Sequence, residues 1–430
     1  MANPNPDNYS AARIGVVADD LTGACDSGVE FLACSKSVFV MVESSFETLA
    51  EAEEGIIVYN TQSRNLPPKE AYDRSFEATR RAFSGGAGLV FKKVDSALRG
   101  NFAVEVGAVM DAAAAPVAFI LPAIPDAGRE TIGGVQHIHG IPVAESFYAS
   151  DPEHPVTESS VLARAEQGSS RKAGLISLAD VRAGRTAEAA MRLQNEGRQL
   201  IVVDARSPVD LDSAVKDIVQ CARPKVFVGC QGLARALASQ LPTVREAPLT
   251  LEKPRGTRGS TFFVCGTPHP QSKRQLEIGA KAGELQLVEV GMSRIGKTSK
   301  PEAALNEFVK TCRGGLLAGQ NVAVCVRGKV ARPPADLCDS ILAFLSNLCR
   351  RVVEVTPPAA LVLTGGETAH SVCRALGIGA LKLHARILPL VVASKVVGGP
   401  CHGMIVVAKG GSIGPDDVVC RIHESLRGGK

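Results

Sequence analysis

Asp19 and Asp20 stand side by side at the end of an apolar run, Ile14 to Ala18, and lead into Leu21-Thr22-Gly23-Ala24-Cys25-Asp26-Ser27-Gly28. Adjacent carboxylates repel unless a cation or a hydroxyl holds them, so the pair points to a site that orients a hydroxyl, takes its proton or binds a metal. A second polar turn, Lys93-Val94-Asp95-Ser96-Ala97-Leu98-Arg99-Gly100-Asn101, follows the run Leu89 to Lys92. Lys93 and Arg99 can hold a carboxylate there, arginine through its planar fork, while Asp95 and Ser96 can accept from and donate to hydroxyls. A third turn, Leu121 to Thr131, carries Arg129 as a further anion clamp.

The second half carries a different chemistry. Val264-Cys265-Gly266-Thr267-Pro268-His269, Thr364-Gly365-Gly366-Glu367-Thr368-Ala369 and Val406 to Asp416, with Lys409, Gly410, Gly411 and Gly414, each run from an apolar stretch into a small-residue turn. Such turns let a backbone approach a phosphate, and the first two lead into a helix whose N-terminus faces it. One such turn is weak, and three together carry more weight. Gly291 to Thr298 also fits the phosphate-loop pattern Gly-x-x-x-x-Gly-Lys-Thr letter for letter. In that motif the helix runs on directly from the lysine, whereas Pro301 here would clash inside it; a surface loop with Ser299 capping a later helix is the better reading. His137 and His139 can share one face of a strand, but no carboxylate or cysteine stands beside them at metal spacing, and a polar hairpin face is expected.

These turns need a scaffold of parallel strands, because ligands collect beyond the carboxyl ends of such strands. Apolar runs at Ile14 to Ala18, Gly55 to Tyr59, Leu89 to Lys92, Val117 to Leu121, Leu200 to Asp204 and Lys225 to Gly229 alternate with helical stretches such as Pro68 to Phe83 and Ala187 to Glu196. Pro122 to Pro155 interrupts them, with a hairpin expected at Gln136 to Val143. Ala247 to Gly259 reads as a linker. Beyond it, strands are expected at Thr261 to Cys265, Gln286 to Val290, Asn321 to Val326, Ala360 to Leu363 and Gly403 to Ala408, with helices at Gln271 to Ala282, Pro301 to Arg313, Pro334 to Asn347 and Glu367 to Leu376. The expected fold is α/β in two domains, 1–250 and 257–430, each a mainly parallel sheet flanked by helices.

Composition narrows the function. Net charge is +4, from 48 Lys and Arg against 44 Asp and Glu, so no basic stripe points to nucleic acid, and 4% aromatic residues with no Trp argue against base stacking. No run approaches the roughly 18 to 20 apolar residues of a membrane helix, and Met1 to Ser10 lacks a signal-peptide core. The 12 cysteines form no Cys-x-x-Cys pair, as expected of reduced thiols in a cytoplasmic protein.

Taken together, the segments resemble the four-carbon acid sugar kinases, which phosphorylate tetronates and 3-oxo-tetronates. The resemblance runs from Ile14 nearly to the end. It rests on Ala-Asp-Asp-x-Thr-Gly-Ala-x-Asp at Ala18 to Asp26, Lys-x-Asp-Ser-x-Leu-Arg-Gly-Asn at Lys93 to Asn101, Pro-Ala-x-Pro-x-x-Gly-Arg at Pro122 to Arg129 and Asp-Pro-x-x-Pro at Asp151 to Pro155. Gly-Gly-x-Thr at Gly365 to Thr368 and Lys-x-Gly-x-x-Gly at Lys409 to Gly414 complete it. The chain departs where the family usually has Gly-Ser-x-Ser, here Gly266-Thr267-Pro268-His269, in which Thr267 keeps a hydroxyl and His269 does not. Ala97 replaces a common Thr, and Ser412-Ile413 the more usual residues before the last glycine.

The resemblance implies an N-terminal domain for the acid sugar, a C-terminal domain for ATP, and a cleft between them in which ATP with Mg²⁺ phosphorylates the C4 hydroxyl. Asp20 is then expected to orient the hydroxyl and take its proton, with Asp19 helping to place substrate or metal, and the choice of base within the pair stays open between the two. Lys93, Arg99 and Arg129 grip the carboxylate or neutralise phosphate, with Asp95 and Ser96 beside them. Thr267, Gly365, Gly366, Glu367, Thr368, Lys409, Gly410, Gly411 and Gly414 hold the nucleotide. No metal ligands are assigned, the partners are small molecules, and a homo-oligomer is compatible with the chain. The alternatives are a sugar-acid or nucleotide sensor without catalysis, and a P-loop ATPase using Lys297.

Overall fold

Val16, Val17 and Ala18 are fully buried, as a strand covered on both faces of a parallel sheet must be. In the computed structural model, residues 13–43, 55–151, 154–222, 225–244, 259–267, 269–295, 301–328, 335–411 and 413–427 are described. The chain divides into two units, Met1–Phe39 with Glu47–Glu246, and Val40–Phe46 with Ala247–Lys430. The strand β2 (Val38–Met41) falls where the chain passes from the first to the second; β1 (Arg13–Ala18) precedes it. Most of the linker expected at Ala247 to Gly259 lies outside the described residues.

The first unit continues with β3 (Ile56–Asn60), β4 (Ala87–Lys93), β5 (Ala118–Leu121), β6 (Arg129–Ile132), β7 (Val135–Ile138), β8 (Ile141–Pro142), β9 (Ala173–Ile176), β10 (Leu200–Val203) and β11 (Val226–Gly229). Its main sheet runs β3-β1-β4-β11-β5-β10-β9, and every pairing is parallel. Strand β9 was not expected, since Ala-Gly-Leu-Ile carries little β propensity and becomes a strand by pairing with β10. The expected hairpin is part of a small antiparallel sheet, β6-β7-β8, in which Arg129 pairs with Ile138.

Helices α1 (Leu21–Gly28), α2 (Pro68–Ser84) and α3 (Phe102–Ala113) follow β1, β3 and β4. Helix α2 starts on a proline, whose missing N–H costs nothing in the first turn, and buries Ala71, Ser75, Ala78 and Ala82 at the three- and four-residue spacing of a single face.

The second unit holds β12 (Thr261–Cys265), β13 (Gln286–Gly291), β14 (Val322–Arg327), β15 (Ala360–Thr364), β16 (Ala380–Leu388), β17 (Val391–Val397) and β18 (Ile405–Lys409). The order is β13-β14-β12-β15-β18-β17-β16, parallel as far as β18 and antiparallel for the last two. This antiparallel pair was not expected. Ala-Leu-Lys-Leu-His-Ala-Arg-Ile-Leu is built largely of good helix formers, and pairing with the valine-rich β17 overrides that preference.

Lys92 and Glu105 pair deep in the interior of the first unit: Lys92 Nζ is 2.5 Å from Glu105 Oε2, with the side chains 0% and 3% exposed. Glu105→Ala should therefore destabilise this unit by about 3–5 kcal/mol, because it strands a buried ammonium, while the double change Lys92→Met, Glu105→Leu should cost much less. Urea unfolding followed on the first unit checks this, and equal losses in the single and double variants would contradict it.

Candidate active site

Parallel register brings the polar turns of the first unit to one edge. Ala18 lies opposite Asn60 on β3 and opposite Lys93 on β4, and Gly229 lies opposite both Lys93 and Leu121. The residues just past these strand ends, Asp19 and Asp20, Thr61 to Arg64, Val94 to Arg99, and Pro122 onward, therefore share the carboxyl edge of the sheet.

Asp19 and Asp20 are both buried. Asp20 caps helix α1: its Oδ1 accepts the Gly23 N–H at 2.9 Å and its Oδ2 the Thr22 hydroxyl at 2.8 Å. The N-terminus of α1 thus meets the protein's own carboxylate. Lys93 Nζ lies 3.4 Å from Asp19 Oδ1 and 3.3 Å from Asp20 Oδ1. Arg64 Nε donates to Asp19 Oδ2 at 2.8 Å, and its Nη2 lies 3.0 Å from Asp20 Oδ1.

Burial alone would raise the pKa of both carboxyls, but Arg64 and Lys93, joined at Asp20 by Thr22, outweigh it and hold both below the ordinary range, Asp20 far below. Gly23 leaves room for this: a Cβ there would come 2.1 Å from Lys93 Nζ and 2.4 Å from Asp20 Oδ1.

Asp95 and Arg99 form a two-pronged pair, Nε to Oδ2 and Nη2 to Oδ1, each 2.9 Å, and Arg99 Nη1 donates to Asp151 Oδ2 at 2.9 Å. The Arg99 guanidinium also lies over the Tyr148 ring, 5.0 Å from its centroid. Arg129 differs from the other cations. It is 5% exposed, and its hydrogen bonds go only to neutral groups: Ser96 Oγ at 2.7 Å, the Ala127 carbonyl at 3.3 Å and the Tyr148 hydroxyl at 3.1 Å. Among the described residues no carboxylate pairs with it.

The second unit repeats the strand-end logic. Cys265, Thr364 and Lys409 stand in register on β12, β15 and β18, so Gly266-Thr267, Gly365-Gly366 and Gly410-Gly411 leave the sheet at one edge. Gly365, at φ 98°, turns the chain into the helix Gly366–Ala375, whose first turn has no side-chain cap and includes Glu367 and the buried Thr368. A Cβ on Gly411 would come 2.8 Å from Thr267 Oγ1, and one on Gly266 2.4 Å from Thr368 Oγ1.

The glycine turn is strapped to the helix Pro270–Lys281: Gln275 Nε2 donates to the carbonyls of Ile413, Gly414 and Pro415, and Ser272 to that of Gly411. His269 caps the same helix, its Nδ1 accepting the Gln271 N–H at 3.2 Å, so the departure from the family's second serine supplies a cap. Lys409 is 3% exposed and its ammonium donates to the Gly410 carbonyl at 3.0 Å. No carboxylate pairs with it among the described residues, and burial pushes its pKa down to about 8.

Residues 14–237 match a sugar-binding N-terminal domain and residues 262–419 a nucleotide-binding C-terminal domain. The chain belongs to the four-carbon acid sugar kinase family. It is 30% identical to a D-threonate kinase of Cupriavidus necator, over 96% of this chain and 97% of that one, and 28% identical to a D-erythronate kinase of Heliobacterium modesticaldum over the same shares. A crystal structure from Salmonella typhimurium LT2 has the same fold, with TM-score 0.78 at 22% identity over 95% of this chain and 98% of that one.

Some of the residues that meet around these strand ends were not foreseen. Arg64, Glu105, Tyr148 and Asp151 were not among the expected site residues, although Asp151 stood in a motif and Arg64 follows a strand that was expected. His137 Nδ1 contacts the Val135 carbonyl, and among the described residues no cluster of His, Cys, Asp or Glu is arranged to hold a metal ion. Lys297 lies outside the described residues; β13 before it runs into the short turn Met292–Arg294, and the next helix begins at Pro301.

A lysine that titrates at about 8 is charged below that pH and neutral above it, so inorganic tripolyphosphate should bind more weakly as pH rises from about 8 to about 9.5. Lys409→Arg, which stays charged, should flatten that dependence. Calorimetric titration checks it, and the same decline in both proteins would contradict it.

Proposed function

We propose that the protein is an ATP-dependent kinase that transfers the γ-phosphoryl group to the C4 hydroxyl of a four-carbon sugar acid such as threonate, erythronate or a 3-oxo-tetronate. The observation that carries this reading is a buried guanidinium, Arg129, with only neutral partners among the described residues, at the same sheet edge as a pair of buried carboxylates held ionised. A buried charge needs a counter-charge, and the acid's own carboxylate supplies one. Arg99 is the weaker candidate for that contact, because Asp95 and Asp151 already engage its fork. Its role in this reading is to fix those carboxylates and the Tyr148 ring.

Asp20 presents Oδ2, which accepts from Thr22 and has a lone pair left for a substrate hydroxyl. A carboxylate of such low proton affinity is a weak base. It serves by orienting the C4 oxygen and receiving the proton late, which suits phosphoryl transfer, where positioning and charge stabilisation dominate. Asp19 helps to place the substrate, and Lys93 limits the negative charge that gathers as phosphate arrives. In the second unit Lys409, Thr267, Gly365, Gly366, Thr368, Gly410, Gly411 and Gly414 form the phosphate-binding surface, with Glu367 in the helix's first turn. The uncapped N-terminus of the helix Gly366–Ala375 supports that reading.

Mg²⁺ enters with the nucleotide in this reading. It prefers phosphate and water with one or two carboxylates to a cage of protein ligands. When bound it would neutralise the charge that develops on the transferring phosphoryl group.

ADP release with ATP and magnesium, measured across D-threonate, L-threonate, D-erythronate, 3-oxo-tetronate and glycerate, should be strong for at least one four-carbon acid. No release with any of them would sink the kinase reading. Asp20→Asn should lower turnover by about 10²–10⁴-fold while nucleotide affinity holds, and near-normal turnover would remove Asp20 from the mechanism. Gly411→Ala should weaken ATP much more than the acid; equal affinities would move the phosphate site elsewhere.

A further inference from the structure

We infer that Arg64 is the positioning residue that keeps Asp19 and Asp20 ionised together, and that Asn101 and Gly100 hold Arg64 in place. The inference deepens the kinase reading and rests on it for its kinetic arm. One guanidinium reaches three carboxylates here: Asp19 Oδ2 at 2.8 Å, Asp20 Oδ1 at 3.0 Å and Asp95 Oδ1 at 3.9 Å.

Among the described residues the groups around the pair are few. From β4 and its turn come Lys93 and Asp95, with Lys92 more remote and tied to Glu105 of α3; from α1 come Thr22 and the Gly23 N–H. Cys230, after β11, and Asp26, on α1, also lie in the neighbourhood, and burial keeps the Cys230 thiol protonated. Lys93 by itself would be one close cation for two adjacent buried carboxylates, and one of them would take up a proton. Arg64 makes the balance two for two. A protonated aspartate offers a substrate hydroxyl a poorer acceptor, so this balance decides whether the pair can work.

The loop carrying Arg64 is fixed from both sides. Thr61 donates its N–H and its hydroxyl to the Ala18 carbonyl, each at 2.8 Å, and Ser63 N–H donates to the Asp19 carbonyl at 3.0 Å. Ser63 Oγ donates to Glu105 at 3.0 Å, and Gln62 sits in the left-handed region at φ 45°. From the other side Asn101 Nδ2 donates to the carbonyls of Ser63 at 3.0 Å, Arg64 at 3.4 Å and Leu66 at 2.8 Å.

Asn101 occupies the cap position of α3, yet its side chain makes no cap bond. Asparagine is a favoured cap, so its amide is committed to the Arg64 loop instead. Gly100, at φ 74°, has the same neighbour: a Cβ there would come 2.7 Å from Arg64 Cγ. The Gly-Asn that ends the turn begun at Lys93 thus seats the cation that faces Lys93 across the carboxylate pair.

Arg64→Gln should lower kcat at least tenfold at pH 7, leave the KM for ATP within twofold, and give kcat an acid limb between about pH 5 and 8 that the wild type lacks. Arg64→Lys should return the limb most of the way, and Asn101→Ala should shift it in the same direction by less. A structural role alone would lower kcat without moving the limb, and an Arg64→Gln profile parallel to wild type overturns the inference.

Carboxyl-carbon NMR of labelled aspartates, without substrate, should show a carboxyl titrating above about 5 in Arg64→Gln and Asn101→Ala and none at that position in wild type. Wild-type titration in both variants also overturns it. Should Arg64→Gln not fold, Arg64→Lys and Asn101→Ala decide by the same spectrum. A protein that phosphorylates no acid would end the kinase reading, while the NMR arm would still decide the role of Arg64.

Discussion

Two carboxylates buried next to each other stay ionised only if cations reach them, and in a parallel sheet the neighbouring strands are well placed to supply those cations. Asp19 and Asp20 follow β1; Lys93 ends β4 on one side and Arg64 follows β3 on the other. Much of the first unit serves this meeting. The register sets Ala18 opposite both Asn60 and Lys93, and Gly23 leaves space where a methyl group would strike the Lys93 ammonium. The loop after β3 is bonded on one side to the strand that carries the pair and on the other to the turn that follows β4.

The same accounting separates groups that hold the site from groups that can meet a ligand. Asp19, Asp20, Asp95 and Asp151 all have cationic partners, and Arg64, Lys93 and Arg99 are the cations committed to them. Arg129 in the first unit and Lys409 in the second are buried and, among the described residues, meet only neutral acceptors. Each is a natural partner for an anion brought from outside. The carboxylate of a sugar acid suits a planar guanidinium, and the phosphates of a nucleotide suit an ammonium set among glycine turns.

Much of this layout was legible in the sequence because parallel strands and their turns announce themselves locally. The apolar run before Asp19-Asp20, the Lys93 turn, the Arg129 turn and the glycine turns of the second half could each be read alone. What could not be read depends on register. Arg64 sits in a plain polar loop, and nothing in Asn60 to Asn65 says that β3 lies beside β1. Glu105 looked like an ordinary position on α3, although it pairs with a lysine buried in β4. Asn101 was visible as the end of a motif, but its commitment to a loop nearly forty residues earlier is purely tertiary. Asp20 as a helix cap was within reach, since Asp-x-x-Gly at a strand end is an ordinary capping arrangement. Among the missed strands, β9 and β16 share one cause: pairing made strands of sequences with weak or opposite local preference, whereas β2 and β17, both rich in valine, carried a strand signal of their own.

Two buried cations that meet no carboxylate among the described residues would divide the ligands between the units, Arg129 taking the acid and Lys409 the nucleotide. Calorimetric titration of the full-length protein, with the acid and with a non-hydrolysable ATP analogue, on Arg129→Met and Lys409→Met tests it most directly. The expected result is crossed: Arg129→Met loses at least about tenfold in acid affinity with nucleotide affinity intact, and Lys409→Met does the reverse. Undiminished acid binding by Arg129→Met, or loss of both ligands in either variant with the fold intact, would contradict it.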